Sequence, residues 1–343
     1  MSRLSSSLKV LAIAASFAAP ANSALAWGAS GHRVVGVLGA QALPSDVPAF
    51  LRTPTAVATI GEYARELDRS KGSGKIHDHD RDAAHFLDVD DQGRMYGGPM
   101  FTVESMPGTR ADYETALRTA GVDSWKAGYL PYAIIDGYQQ LVKDFTYWRI
   151  LVAAEKSATD PVKKAYYAAD LKRREDLLIR DLGVWAHYVG DASQPMHLSV
   201  HYNGWGDYPN PNGYTQSRAT HSNFEGPLAK AVGDEAQIKA LMPAYVDCAC
   251  SIETRVVGYL TTTWKLTEPL YALEKAGGLV ESDPRGRAFT QQRLAAGAAA
   301  LRDLVTEAWR ESANGKIGYR PEISVADVES GKADPWLDLY GKD

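Results

Sequence analysis

The residues able to do chemistry gather in a few short stretches. In His187-Tyr188-Val189-Gly190-Asp191-Ala192-Ser193-Gln194-Pro195-Met196-His197, HYVGDASQPMH, a histidine and a carboxylate stand four positions apart and a second histidine follows a proline. Helical positions four apart share one face, with Cβ atoms about 5 to 6 Å from each other, a span one metal ion can bridge. Pro195 must end that helix, which lets His197 turn back toward the same place. His221-Ser222-Asn223-Phe224-Glu225 repeats the pair, and Ala84-His85-Phe86-Leu87-Asp88 sets another histidine beside acids. One such pair alone is ordinarily a surface ion pair, and a lone His85 a core histidine. The argument for metal is their number, because His32, His85, His187, His197 and His221 are five of the eight histidines. Imidazole nitrogen with carboxylate oxygen is a donor set that suits zinc, and catalytic sites leave a coordination position open. His77 and His79, in KIHDHDRD, read instead as a solvated polar loop, and His201 fits either description.

The stretch SALAWGASGH, Ser23 to His32, adds a processing signal. Arg3 and Lys9 form a basic region, Val10 to Ala19 a short apolar run, and Ala24-Leu25-Ala26 an A-x-A cleavage site, so residues 1–26 read as a signal peptide and the mature chain begins at Trp27. The apolar run is well short of the roughly 20 residues a spanning helix needs. Secretion or periplasmic export is therefore expected.

These residues need elements to hold them. Leu130 to Glu155 and Lys163 to Asp191 carry apolar residues at three- and four-residue intervals over many turns, which predicts two long helices. Further helices are expected near Gly31 to Leu43, Arg110 to Ala120, Glu253 to Glu274 and Ala288 to Ser312, and strand signals are weak. Tyr202 to Thr215, YNGWGDYPNPNGYT, reads as a long ordered loop whose aromatics could stack a base, meet a lipid surface or pack the loop down. After about Asn314 the periodicity fades. The expectation is a mainly α, single multi-helix domain over residues 27–313 with long ordered loops, followed by a tail, 314–343.

Composition excludes some functions. The chain carries 37 basic against 42 acidic side chains, and loss of residues 1–26 leaves 35 against 42, which is no basic footprint for tight duplex binding. It does not exclude a phosphate substrate, since a bound metal ion supplies charge that the count omits. Cys248 and Cys250 are the only cysteines; a C-x-C pair closes too small a loop to staple the fold and is too little for a thiolate metal cage.

Taken together, WGASGH, AHFLDVDD, HYVGDASQPMH and HSNFE resemble the superfamily that joins S1/P1-type single-strand nucleases to the zinc-dependent phospholipases C, over Trp27 to about Ser312. The resemblance implies a phospholipase C/P1 nuclease type of fold and three zinc ions. One ion would take Asp68, His85, His187 and Asp191; a second His197, His221 and Glu225; a third Trp27, through its free α-amine and carbonyl, with His32 and Asp191. A terminal tryptophan would thus explain the position of the cleavage site. Asp68 would also orient or deprotonate the attacking water, although Glu62 or Glu66 could compete for its place. Lys71, Asn203 and Asp207 are candidate substrate contacts. The spacing from Trp27 to His32 and the 24 residues from His197 to His221 match the nucleases, whereas Glu225 and AHFLDVDDQGRMY match the phospholipases. The expected activity is a single-strand-preferring endonuclease on DNA or RNA, with 3′-nucleotidase action possible for the same site. Phospholipase C action on phosphatidylcholine-type lipids is the alternative, and a non-catalytic zinc-binding protein the remote one. No stable protein partner is expected.

Overall fold

The computed structural model describes residues 27–232, 234–320 and 322–341, so the expected signal peptide lies outside the described residues. Helices dominate: α1 (Ala29–Gln41), α2 (Pro54–Tyr63), α3 (Glu66–Arg69), α4 (Lys75–Asp82), α5 (Arg110–Thr119), α6 (Ser124–Ala127), α7 (Leu130–Ser157) and α8 (Pro161–Asp191). They are followed by α9 (Thr220–Asn223), α10 (Ala229–Ala231), α11 (Glu235–Ala240), α12 (Ile252–Trp264), α13 (Thr267–Lys275) and α14 (Pro284–Glu311), with α15 (Val325–Glu329) and α16 (Trp336–Tyr340) in the tail. Among the described residues the only sheet is one antiparallel pair, β1 (Lys316–Ile317) and β2 (Ile323–Ser324). The mainly α expectation holds.

The long helices start where local chemistry dictates. Asp160 caps α8 by accepting from the Val162 and Lys163 amides, and Asp283 caps α14 by accepting from Arg285, each just ahead of a proline at the first helical position. α7 and α8 pack against each other, with α1 and α2 on α8 and α14 against both. Gly137 makes the α7–α8 approach possible: a Cβ there would lie 2.0 Å from Cδ1 of Trp185, whose indole donates to the Ile134 carbonyl at 3.0 Å. Between the same helices the buried Asp144 accepts from Arg174 at 2.7 Å, so the burial of one charge is compensated by a partner.

Two expectations on elements change. The stretch Glu253 to Glu274 is two helices, because Pro269 has no amide hydrogen to give to Lys265 and its ring would clash there, so the chain breaks at Lys265 and Leu266. KIHDHDRD is the helix α4 rather than a loop, though none of its residues is buried. The tail packs: Ile317, Val325 and Val328 form a second small core with Ile150, Leu151 and Ala154 of α7 and Tyr167 of α8. Among the described residues no helix is long and apolar enough to cross a membrane.

Candidate metal centre

The first turn of α1 supplies His32, α3 supplies Asp68, the 3₁₀ turn Ala83–His85 supplies His85, and the last turn of α8 supplies His187 and Asp191. His197 comes from the 3₁₀ turn Pro195–Leu198, and α9 leads into a π turn, Phe224–Leu228, that carries Glu225. The π turn has a local cause. Pro227 cannot donate to the Asn223 carbonyl, and the wider turn keeps Glu225 beside His221. Main-chain bonds tie the pieces together, with the Leu87 amide donating to His197 O at 2.9 Å and the Gly28 amide to Glu225 O at 3.1 Å.

Three groups of donors converge: His32 with Asp68 and His187; His85 with His187 and Asp191; His197 with His221 and Glu225. In the second, His85 Nδ1 lies 2.9 Å and His187 Nε2 3.4 Å from Asp191 Oδ2, while Oδ1 of the same carboxylate faces His32 Nε2 at 3.4 Å. Asp191 therefore points one oxygen at each of two histidine sets, the geometry of a bridging carboxylate. In the third group His221 Nε2 and His197 Nε2 approach Glu225 Oε1 at 2.7 and 3.1 Å, and each other at 3.2 Å. Ligands at about 2.0 to 2.1 Å around a tetrahedral ion stand roughly 3.3 Å apart, so this spacing needs only small adjustment. His197 Nδ1 lies 4.0 Å from Asp191 Oδ1, which makes the groups neighbours in one centre.

Around these donors, main-chain carbonyls fix the rings. Nδ1 of His187 donates to Ala64 O at 2.8 Å, that of His197 to His85 O at 2.6 Å, and that of His221 to Tyr202 O at 2.6 Å. Each Nε2 lone pair is then left facing the centre, as outer-sphere partners do for histidine ligands. Both ring nitrogens of His32, Asp191 Oδ1 and Glu225 Oε2 are buried with no hydrogen-bond partner among the described residues. Unpaired buried polar atoms cost about 1 to 3 kcal/mol each, a cost that a bound cation would remove.

The electrostatics agree. Burial, reinforced by neighbouring imidazoles and Lys71, holds His32 and His85 well below the ordinary histidine range, and burial holds His187 down at about 4 despite Asp68. These rings are neutral and free to coordinate. Burial and the nearby Asp68 push Asp191 well above the usual carboxylate range, so its charged form lacks a countercharge. At Glu225 burial works upward, but His221 and His197 overcome it and bring the group to about 2; burial works downward at His221, where Glu225 prevails and raises it.

All eight side-chain ligands expected from the sequence fall in this centre. Asp68 Oδ1 stands 3.8 Å from His187 Nε2, while its possible competitors, Glu62 and Glu66, are engaged by Arg65 and Arg69 on the outer side. Trp27 is fully buried beside it, its indole donating to Gly190 O and Ser193 Oγ, each at 3.0 Å. Lys71 lines the cleft and pairs with Asp68 at 2.7 Å. Asn203 and Asp207 are not part of the cleft lining, and Asp207 is exposed. In the same loop Trp205 stacks on His201 at 3.7 Å and packs against Tyr214 and Tyr271, so this aromatic pins the loop down, and His201 pairs with Asp91 outside the centre.

Sequence reasoning passed over several residues. Gln194, inside the motif quoted above, donates to Glu225 Oε1 at 2.6 Å and accepts from the Met196 amide, which orients Glu225. The cleft over the centre, about 490 Å³, is also lined by Phe86, Asp88, Tyr96, Trp125 and Lys126, and by Tyr202 from the loop whose aromatics could meet a substrate. Asp88 has one buried carboxyl oxygen without a partner and is pushed well above the carboxylate range by burial. Trp125 and Lys126 arrive on the four-residue α6 and carry no periodic signal. Compared with models of known protein families and with curated protein sequences, the chain matches none of them.

Proposed function

We propose that the chain is a zinc-dependent phosphodiesterase of the S1/P1 nuclease type, exported and then cleaved before Trp27, which acts on single-stranded nucleic acid. The observation that carries this reading is Asp191, buried with one oxygen toward His85 and His187 and the other toward His32, behind the cleft that His85, His197 and His221 line. A purely structural metal site would be closed by protein ligands, whereas the group of His197, His221 and Glu225 has three ligands beneath a cleft.

Zinc, when bound by these residues, would polarise a phosphoryl oxygen and make water a usable nucleophile near neutral pH. The chain's own residues do the rest. Asp68, slightly exposed and paired with Lys71 of the cleft lining, would accept a proton from the attacking water and aim it. Lys71 and Lys126 bring positive charge to a phosphate, and Trp125, Tyr202 and Phe86 offer aromatic surface to a base. Asp88, which lines the cleft, would offer its carboxyl group to a donor on the substrate. The α-amine of Trp27, once freed by cleavage, and its carbonyl would complete a third set with His32 and Asp191.

Two lysines beside several aromatics suit the successive phosphates and bases of a nucleotide chain, whereas a phosphatidylcholine headgroup offers one phosphate to the lysines and a choline to the aromatics. Purified zinc-loaded protein assayed on single-stranded DNA, RNA, 3′-nucleotides and phosphatidylcholine vesicles tests the reading. Turnover of the nucleic acids well above that of the vesicles is expected; hydrolysis of the lipid alone would transfer the site to phospholipase chemistry, and no turnover of any would leave a binding protein.

A further inference from the structure

One motif plays no part in the metal centre. Cys248 and Cys250 are joined in a disulfide across a single residue, in the segment between α11 and α12. So short a closure removes little chain entropy from the unfolded state, so the bond does little for global stability. Nor does it hold its own loop. Residues 243–247 are anchored instead by arginines: Arg302 donates to Pro243 O at 2.8 Å, Arg310 to the Tyr245 hydroxyl at 3.1 Å and Arg255 to Val246 O at 3.4 Å.

The bond is paid for in backbone strain at the intervening residue. Ala249 has φ 48°, and Tyr96 is the one other non-glycine residue with positive φ among those described. A side chain with a Cβ resists this region; the Ala249 amide also donates to Asp247 Oδ1 at 2.9 Å, so the bond and this contact hold the turn together and opening the bond releases part of the strain. The sulfurs are also placed to react: Cys250 is exposed and Cys248 half-buried. Cys250 directly precedes Ser251, the cap of the 13-residue α12, and so stands at the positive end of that helix's dipole, an effect that Glu253 partly offsets.

We infer that Cys248–Cys250 is a thiol–disulfide exchange site, whose substrates are thiolates of small thiols and of cysteine-containing polypeptides. An incoming thiolate attacks the exposed sulfur of Cys250; the S–S electron pair leaves on Cys248, which takes a proton from solvent, and a mixed disulfide remains on Cys250. A second thiolate attacks the substrate sulfur of that mixed disulfide and releases Cys250 as thiolate. Two electrons pass from two thiols to the protein, and oxidised glutathione restores the bond by the reverse steps. This inference stands apart from the phosphodiesterase reading, since neither cysteine touches the metal centre.

The test equilibrates the full chain, metal-loaded and without oxygen, in glutathione buffers, followed by acid quench, alkylation and mass measurement with far-ultraviolet circular dichroism in parallel. With roughly a tenfold excess of reduced over oxidised glutathione at millimolar concentration, more than half of the chains should carry the dithiol or one glutathione, with the helical signal unchanged. Cys248→Ser should still take up one glutathione at Cys250. Ala249→Gly, which removes the strain, should lower the reduction equilibrium constant several-fold. A bond that stays oxidised in that buffer, that opens only as the helices melt, or that Ala249→Gly makes easier to reduce would overturn the inference.

Discussion

Asp191 shows how a single side chain can be costly to the fold and necessary to the site. Metal-free, it is a buried carboxylate with one unpaired oxygen and a proton affinity raised by burial. Asp191→Asn keeps the shape and removes the charge. We expect metal-free Asp191→Asn to melt above metal-free wild type, and the order to reverse when both are given zinc, because only the wild type gains binding free energy. Calorimetry with and without chelator checks this; the same order in both conditions would mean that Asp191 holds no ion. Glu225 gives a second contrast. Glu225→Asp should keep an ion with His197 and His221, whereas Glu225→Ala should lose it and leave Gln194 without its acceptor, a difference read by metal analysis of the folded proteins.

At the scale of elements, α8 is the scaffold: its last turn holds His187 and Asp191, and its body is set against α7 through Gly137. Gly137→Ala should cost about 1 to 3 kcal/mol, since the new methyl has no room beside Trp185 and the helices must part, and urea unfolding would read the loss. The start of α1 makes a different demand. Trp27 is fastened to the end of α8 by its indole, which donates to Gly190 O and Ser193 Oγ, one and two residues from Asp191. A peptide-bonded nitrogen has no lone pair to give, so protein retaining a methionine before Trp27 should fold yet hold roughly one zinc fewer per chain than protein cleaved to Trp27. Equal zinc content in the two forms would remove the terminal amine from the ligand set. Trp27→Ala, by contrast, should destabilise the fold by several kcal/mol through the lost burial and hydrogen bonds.

For the molecule as a whole, stability is linked to pH through the buried imidazoles. His187 sits at about 4 in the metal-free fold against about 6.5 in an unfolded chain, so the unfolded state binds the proton first as pH falls. The contribution of a lowered group is complete above its unfolded value and is lost toward its folded one. The stability of metal-free wild type relative to His187→Gln should therefore decline between about pH 6.5 and pH 4, by on the order of 3 kcal/mol, in urea titrations at the two ends. A difference independent of pH would mean that His187 titrates alike in both states. The wider architecture serves the same centre, since α1, α3, α8 and α9 each bring donors to it while the tail packs at a separate core on α7 and α8.

Periodicity and spacing made the long helices and the two histidine–carboxylate pairs legible, because a helix converts an interval of four into a shared face, whereas Asp68, Trp27 and the grouping of the donors were expected only through the family resemblance. His187 with Asp191 and His221 with Glu225 are local pairs, readable without knowing what lies across from them. The break at Lys265 was also written locally, in Pro269, though apolar periodicity hid it. Other features depended on approach between distant segments. The meeting of His32 and His85 with Asp191, the choice of Asp68 over Glu62 and Glu66, the carbonyls that orient the rings, and the arrival of Trp125 and Lys126 at the cleft all join residues far apart in the chain. No interval in the sequence encodes such contacts; they follow from how α1, α3 and α6 pack against the end of α8, and packing is a property of surfaces that exist only once the chain has folded.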